Sequence, residues 1–396
     1  MNIRHLSSWA EKISPSPTLA IDAKAKSMKA SGHDICAFAA GEPDFDTPDF
    51  IKDACSKALY DGQTKYAPAA GIMPLREQIA YKYSKIAGVE SFSPLQAVVS
   101  PGGKFSCYLA ILAICDSRHE VIIPAPYWVS YTEMAKLAGA KPKILPTLES
   151  NDFKLTPQEF EQSINPATRM LILNSPSNPT GAVYTKEEIE AIVEIAVRRK
   201  IYILSDEIYE HLLYDGIEHT SPISLGKEVQ EWLITISGFS KTFSMTGWRL
   251  GTMFTSPKIA KAVTSLQSQM TSNATTFAQF GALAAMQQPE RSHQVIEAMK
   301  QVFDRRRLKL LKGLNAISGI HCFRSQGAFY LFPNISGTGL DSTTFSTRLL
   351  EETKTAVVPG SAFGADANIR MSYAISDQVL DKGLSRLASF CNNLGE

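Results

Sequence analysis

The sequence predicts an α/β fold, a large unit on a mostly parallel sheet followed by a smaller α+β unit. Three observations carry this. Short β-branched, apolar runs alternate with helix-period segments through the middle of the chain. That alternation stops in the last hundred residues. The chain has 396 residues, 44% apolar and 20% charged, which suits two or three packed domains at roughly 150 residues each. Forty basic residues stand against thirty-nine acidic ones, so neither nucleic acid nor an anionic membrane is expected as the main partner. No apolar run approaches the roughly 20 residues that a membrane helix needs. Met1 to Ile13 mixes Arg4, His5, Glu11 and Lys12 without an apolar block, so no secretory signal is expected. The six cysteines form no CxxC pair, which favours free thiols in a reducing cytoplasm and no metal centre.

The elements follow in order. Thr18 reads as the N-cap of a helix over 19–30. Buried strands are predicted at 96–100, 119–123, 141–145, 169–174 and 201–205, then at 233–237 and 250–255. Helices fall between them at 104–115, 129–137, 157–162 and 186–199. A long charged helix over 290–314 carries Arg305, Arg306 and Arg307. Short strands at 319–323, 328–332, 355–358 and 369–373 follow, and a helix over 377–392 closes the chain. The expected division is an N-terminal segment, 1–48, docking on the small domain. A large domain, 49–289, and a small domain, 290–396, complete it.

The chemistry-bearing residues cluster just after strands. In Ser237-Gly-Phe-Ser-Lys-Thr-Phe-Ser-Met-Thr-Gly-Trp-Arg-Leu-Gly251, Lys241 sits among small and hydroxylated residues, with Arg249 eight positions on. A lysine in such a setting can shed its proton and act as a nucleophile, and the arginine can grip a phosphate. In isolation either would read as a surface charge. Ser205-Asp-Glu-Ile-Tyr209 puts Asp206 at the end of an apolar strand, where open α/β sheets bind ligands, although a helix cap is the plain alternative. Asn178 lies in Asn174-Ser-Pro-Ser-Asn-Pro-Thr-Gly181, a rigid turn. Ser100-Pro-Gly-Gly-Lys104 runs from strand into helix, where free N–H groups attract an anion. Its spacing fits neither the dinucleotide nor the nucleoside triphosphate loop. Trp128 offers an aromatic face. Together these residues outline a pocket for a flat, phosphorylated, nitrogen-containing aldehyde, which is a pyridoxal 5'-phosphate site.

At these residues the sequence resembles the fold-type I pyridoxal phosphate enzymes, and more narrowly the class I aminotransferases of the aspartate aminotransferase type. The resemblance runs from Gly41-Glu-Pro-Asp44 to Arg370, and 238–251 fits the family's lysine-attachment pattern throughout. It implies that Lys241 forms the Schiff base and shuttles the proton, and that Asp206 pairs with the pyridine nitrogen. Tyr209 and Asn178 would bond the ring's phenolic oxygen, and Trp128 would stack on the ring. Gly103, Lys104, Ser240 and Arg249 would surround the phosphate, and Tyr66 would reach the phosphate of a neighbouring subunit in a homodimer with shared sites. Arg370 matches the arginine that clamps the substrate α-carboxylate, and Gly41 would line that side. Gly238 stands where some relatives have a phosphate-binding serine. The stretch 267–279 has no arginine for a side-chain carboxylate; Lys104 resembles the basic residue that a bacterial and plant subgroup uses instead. Thr18 and Lys104 match two positions of members that also transaminate prephenate.

The implied activity is ping-pong transfer of an amino group between L-aspartate or L-glutamate and 2-oxo acids, with action on prephenate as an extension. Aromatic (tyrosine) transamination and a lyase or synthase reaction remain alternatives on the same fold. A cofactor-sensing regulator would need a DNA-binding segment, for which this sequence shows no basic stretch.

Overall fold

The computed structural model describes residues 17–394, preceded by residues 6, 11 and 13; the side chains at 17, 19 and 22 lie outside the description. So does most of the segment 1–13 in which no secretory signal was expected.

The central sheet has seven strands in the order Ala97–Ser100, Gly251–Thr255, Leu233–Gly238, Tyr202–Asp206, Thr168–Asn174, Glu120–Ala125 and Lys141–Pro146. Gly251–Thr255 runs against both neighbours, and the other neighbouring strands pair in parallel. The central strands read as continuous apolar runs because both faces are covered. Ile122, Leu171, Ile203 and Leu233 enter one core, while Val121, Ile123, Met170, Ile172, Leu204 and Ile234 enter the other. The edge strand Lys141–Pro146 is only partly covered, and its two lysines and two prolines discourage further pairing.

Helices Met73–Ala87, Lys186–Arg199 and Thr276–Gln287 supply buried side chains to the first core. Gly103–Ile114, Ser130–Leu137 and Pro257–Met270 supply the second. A third core joins the long helix Pro289–Leu314 to the helices Ser342–Thr353 and Asp377–Leu394 and to a small antiparallel sheet. That sheet has the order Val358–Pro359, Ile369–Ser372, Tyr330–Leu331. Cys36–Ala37 pairs in parallel with Thr355–Ala356, which ties the N-terminal segment to this C-terminal layer.

The expected strand over 355–358 is therefore two short strands in separate sheets. The expected strand over 319–323 is a turn with one bridge, His321 to Asn334; Gly319 takes φ +80 there and packs against Gly337. Thr18 is not a cap but the second residue of the helix Pro17–Ala30. Among the described residues six α-helices had no element assigned from the sequence: Asp49–Tyr60, Met73–Ala87, Lys227–Gln230, Pro257–Met270, Thr276–Gln287 and Ser342–Thr353. Thr276–Gln287 (TFAQFGALAAMQ) is apolar on nearly every side, so it shows no face for a periodicity to reveal. Among the described residues no helix is long and apolar enough to cross a membrane.

Candidate active site

The C-terminal ends of the parallel strands converge on one cavity of about 400 Å³. Ala97–Ser100 leads to Gly103 and Lys104, Glu120–Ala125 to Trp128, and Thr168–Asn174 to Asn178. Tyr202–Asp206 ends in Asp206 with Tyr209 beyond it, and Leu233–Gly238 leads to Ser240 and Lys241. Gly41, Thr18, Arg249 and Arg370 complete the lining from elsewhere in the chain. Of the residues singled out from the sequence, Tyr66 alone lies outside this cavity, on the surface and 89% exposed.

One end of the cavity is built for an anion. Gly102 precedes the helix Gly103–Ile114 with φ +94, a left-handed value that glycine adopts without a Cβ clash. A Cβ there would also run into the Arg249 guanidinium, and one on Gly251 would run into the backbone of Gly102 and Gly103. The helix N-terminus, with its free N–H groups, is thus pressed against Arg249. Arg249 itself has φ 54, and its guanidinium donates to the Thr246 carbonyl at 2.9 Å. Gly102 was not singled out from the sequence, because Gly102 and Gly103 are alike until the backbone angle separates them.

The cavity floor carries a buried carboxylate. Asp206 accepts from Tyr131 Oη at 2.6 Å, from the Ile208 N–H at 3.2 Å and from Cys107 Sγ at 3.7 Å. Burial raises its pKa against those three donors. Its backbone carbonyl accepts from Asn174 Nδ2 at 2.9 Å, and Asn174 Oδ1 takes the Asn178 N–H at 2.9 Å. Lys241 Nζ donates to the Gly41 carbonyl at 2.5 Å. Burial lowers this amine's pKa to about 8, against the pull of Glu42. About a tenth of it is therefore the neutral, nucleophilic form at pH 7, far more than for an ordinary lysine.

The cavity lining also holds further cations. Arg370 donates to Asn178 Oδ1 at 2.9 Å and to the Ala39 carbonyl at 3.0 Å. Its Cζ lies 4.3 Å from the Tyr330 ring centre, and its Nε is buried without a hydrogen-bond partner. Lys104 Nζ sits 5.1 Å from the Trp128 ring centre, and burial, then Arg249, lower its pKa. Tyr209 Oη and Tyr330 Oη are hydrogen-bonded at 2.9 Å. Tyr131, Asn174, Glu42, Thr246 and Tyr330 also line the cavity. Tyr131 was within reach of the sequence, three residues beyond Trp128, whereas Tyr330 has no local signal.

The sequence profile of the family described as aminotransferase class I and II matches residues 33–387. A probable aspartate/prephenate aminotransferase of Aquifex aeolicus is 45% identical over 386 residues, which are 96% of this chain and 97% of that protein. The aspartate aminotransferase of Bacillus subtilis is 44% identical over 96% of both chains. The structure of Thermus thermophilus aspartate aminotransferase with maleate matches with a TM-score of 0.94 and 42% identity, covering 98% of this chain and 100% of that one.

Proposed function

The chain belongs to the class I and II aminotransferases, and from that premise we propose that it exchanges amino groups between dicarboxylic amino acids, L-aspartate and L-glutamate, and 2-oxo acids. The observation that carries the substrate reading is the pair of cations in one cavity, Arg370 and Lys104. Arg370 is held in place by Asn178 and Ala39, leaving a planar fork for the α-carboxylate. Lys104 is the counterpart for the distal carboxylate. The names of the relatives agree with a dicarboxylate substrate.

Enzymes of this family use pyridoxal 5'-phosphate, and the residues present fit it. The glycine-lined helix N-terminus beside Arg249 suits its phosphate, and the buried Asp206 carboxylate suits its ring nitrogen. When bound, the cofactor supplies an electrophilic aldehyde and a ring that draws electrons from the substrate Cα. We assign Lys241 Nζ as the attachment point and as the base that takes the Cα proton and returns it on the other side of the reaction. Asp206, as an anion, would keep the ring nitrogen protonated, and Tyr209 and Asn178 would bond the phenolic oxygen. Gly103, Lys104, Ser240 and Arg249 would surround the phosphate, Trp128 would lie against the ring, and Gly41 would line the substrate side. Residues 49–289 would form the cofactor-binding domain and 290–396 the small domain, with 1–48 docked on the latter. Tyr66, exposed on one chain, is then available to the cavity of a second copy, which argues for a homodimer with shared sites. The six cysteines are all unpaired, which supports a cytoplasmic setting.

A second substrate is supported by Thr18, which lines the cavity together with Lys104. A hydroxyl and a cation could receive the second carboxylate of prephenate, and several relatives carry that activity in their names.

The test is a half-reaction. Protein loaded with pyridoxal phosphate is mixed with L-aspartate, L-glutamate, L-tyrosine or L-arogenate, each without an oxo acid. Conversion of the cofactor to its amine form by aspartate and glutamate is expected, and conversion by arogenate would extend the reading to prephenate. Conversion by tyrosine alone would overturn the role of Lys104. No conversion by any of them would point to a lyase or synthase.

A further inference from the structure

The helix that begins at the anion cradle carries, one turn in, a cysteine turned towards the catalytic carboxylate. Cys107 belongs to Gly103–Ile114 and is fully buried. Its Sγ lies 3.7 Å from Asp206 Oδ2, the same oxygen that accepts the Tyr131 hydroxyl at 2.6 Å. Asp206 Oδ1 takes only the Ile208 N–H, at 3.2 Å, among these contacts. A carboxylate has about four lone-pair sites. The two side-chain donors therefore occupy one oxygen and leave capacity on the other.

We propose that Cys107 is a positioning residue for the reaction: its S–H, paired with the Tyr131 O–H on Asp206 Oδ2, orients Asp206 and holds it as an anion, so that the proton shared with the cofactor ring stays on the ring nitrogen. The inference rests on Asp206 being the partner of that nitrogen, as proposed above.

The chemistry follows from what a donor does to an acid. Hydrogen bonds to a carboxylate favour its ionised form over its protonated one. Burial works the other way at Asp206, which is 4% exposed. Glu207 beside it pushes in the same direction as burial. Lys241 approaches from the neighbouring strand's loop, and its charge and that of Asp206 stabilise one another. Tyr209 and Tyr131 stay neutral because burial pushes their hydroxyls well up. Burial, then Asp206, pushes the Cys107 thiol up as well, so the sulfur keeps its proton and is a donor. An aliphatic side chain at 107 would fill the same space and leave Asp206 with one side-chain donor fewer.

Two variants separate the donor from the packing. Cys107→Val removes the S–H and keeps the bulk, and Cys107→Ser keeps a donor. On cofactor-free protein, the infrared S–H band that disappears in Cys107→Val should lie at the frequency of a hydrogen-bonded thiol. It should move towards that of a free thiol in Asp206→Asn. On loaded protein, the pH midpoint of the cofactor's visible absorption should rise by roughly half to one unit in Cys107→Val and stay near wild type in Cys107→Ser. The same valine variant should lose roughly three- to tenfold in kcat with KM nearly unchanged. An S–H band that ignores Asp206→Asn overturns the bond. Wild-type titration in both cysteine variants overturns the role. If Asp206→Asn moves the S–H band yet leaves the visible titration as in wild type, the bond stands but the assignment of Asp206 fails, and the proposal falls with it.

Discussion

The protonation of Lys241 is set by the groups that surround its amine. Burial strips water from Nζ and brings its pKa to about 8, and the Gly41 carbonyl orients it at 2.5 Å. The neutral amine is the species that attacks an aldehyde, and its fraction rises with pH until it levels off above the pKa. The rate at which cofactor-free protein takes up pyridoxal phosphate should therefore climb about tenfold per pH unit in the acid range and level off above pH 8. Stopped-flow absorbance across pH 6 to pH 9.5 checks it. A profile still rising steeply at the alkaline end would mean an unperturbed lysine.

At the scale of elements, the anion cradle depends on two glycines far apart in sequence, Gly103 and Gly251, meeting back to back. Gly251 opens the antiparallel strand Gly251–Thr255, and its missing side chain lets the start of Gly103–Ile114 sit directly on it. Gly251→Ala would have to push that backbone aside, because the obstructing atoms are main-chain N and C rather than a flexible side chain. The expected cost is about 2 kcal/mol of stability from overpacking, together with roughly tenfold weaker cofactor binding as the N–H groups leave register. Thermal unfolding with and without pyridoxal phosphate separates the two: the gap between the two transition temperatures should shrink in the variant. An unchanged gap would mean that this helix terminus does not hold the phosphate.

Across the whole molecule, the segment around residues 39–46 links the C-terminal layer to Lys241. Arg370 grips the Ala39 carbonyl, Gly41 receives Lys241, and Glu42 accepts from Thr246 Oγ1 at 2.8 Å. Arg306, from the long helix, bridges Asp44 and Asp377 at 2.9 and 3.1 Å. The C-terminal layer has its own charged anchor in Arg307, which is fully buried and paired with Asp215 and Asp304. A buried pair of this kind is costly to break from one side. Assembly beyond one chain is tested through Tyr66. Lys241→Ala and Tyr66→Ala proteins, unfolded together and refolded, should regain more activity than the mean of the two refolded alone. A hybrid pair then contains one site with both residues intact. No gain would mean that Tyr66 serves no neighbouring cavity.

Much of this was legible in the sequence because it is local. The alternation of apolar runs and helical segments exposes the sheet. The stretch 238–251 carries its lysine and arginine at fixed spacing, and Asp206 and Asn178 each follow a strand that hydropathy alone reveals. The placement of these residues at strand ends was sufficient to outline the ligand's chemistry. The tertiary structure decided which side chains meet across the chain. Asn178 and Arg370 bond although they stand 192 positions apart. Tyr209 meets Tyr330 across 121 and Cys107 meets Asp206 across 99. Periodicity reports the face an element buries and is silent on what that face is packed against. A cysteine in an apolar helix and a tyrosine in a short strand look like core residues until the fold brings a carboxylate or a phenol to within hydrogen-bonding distance.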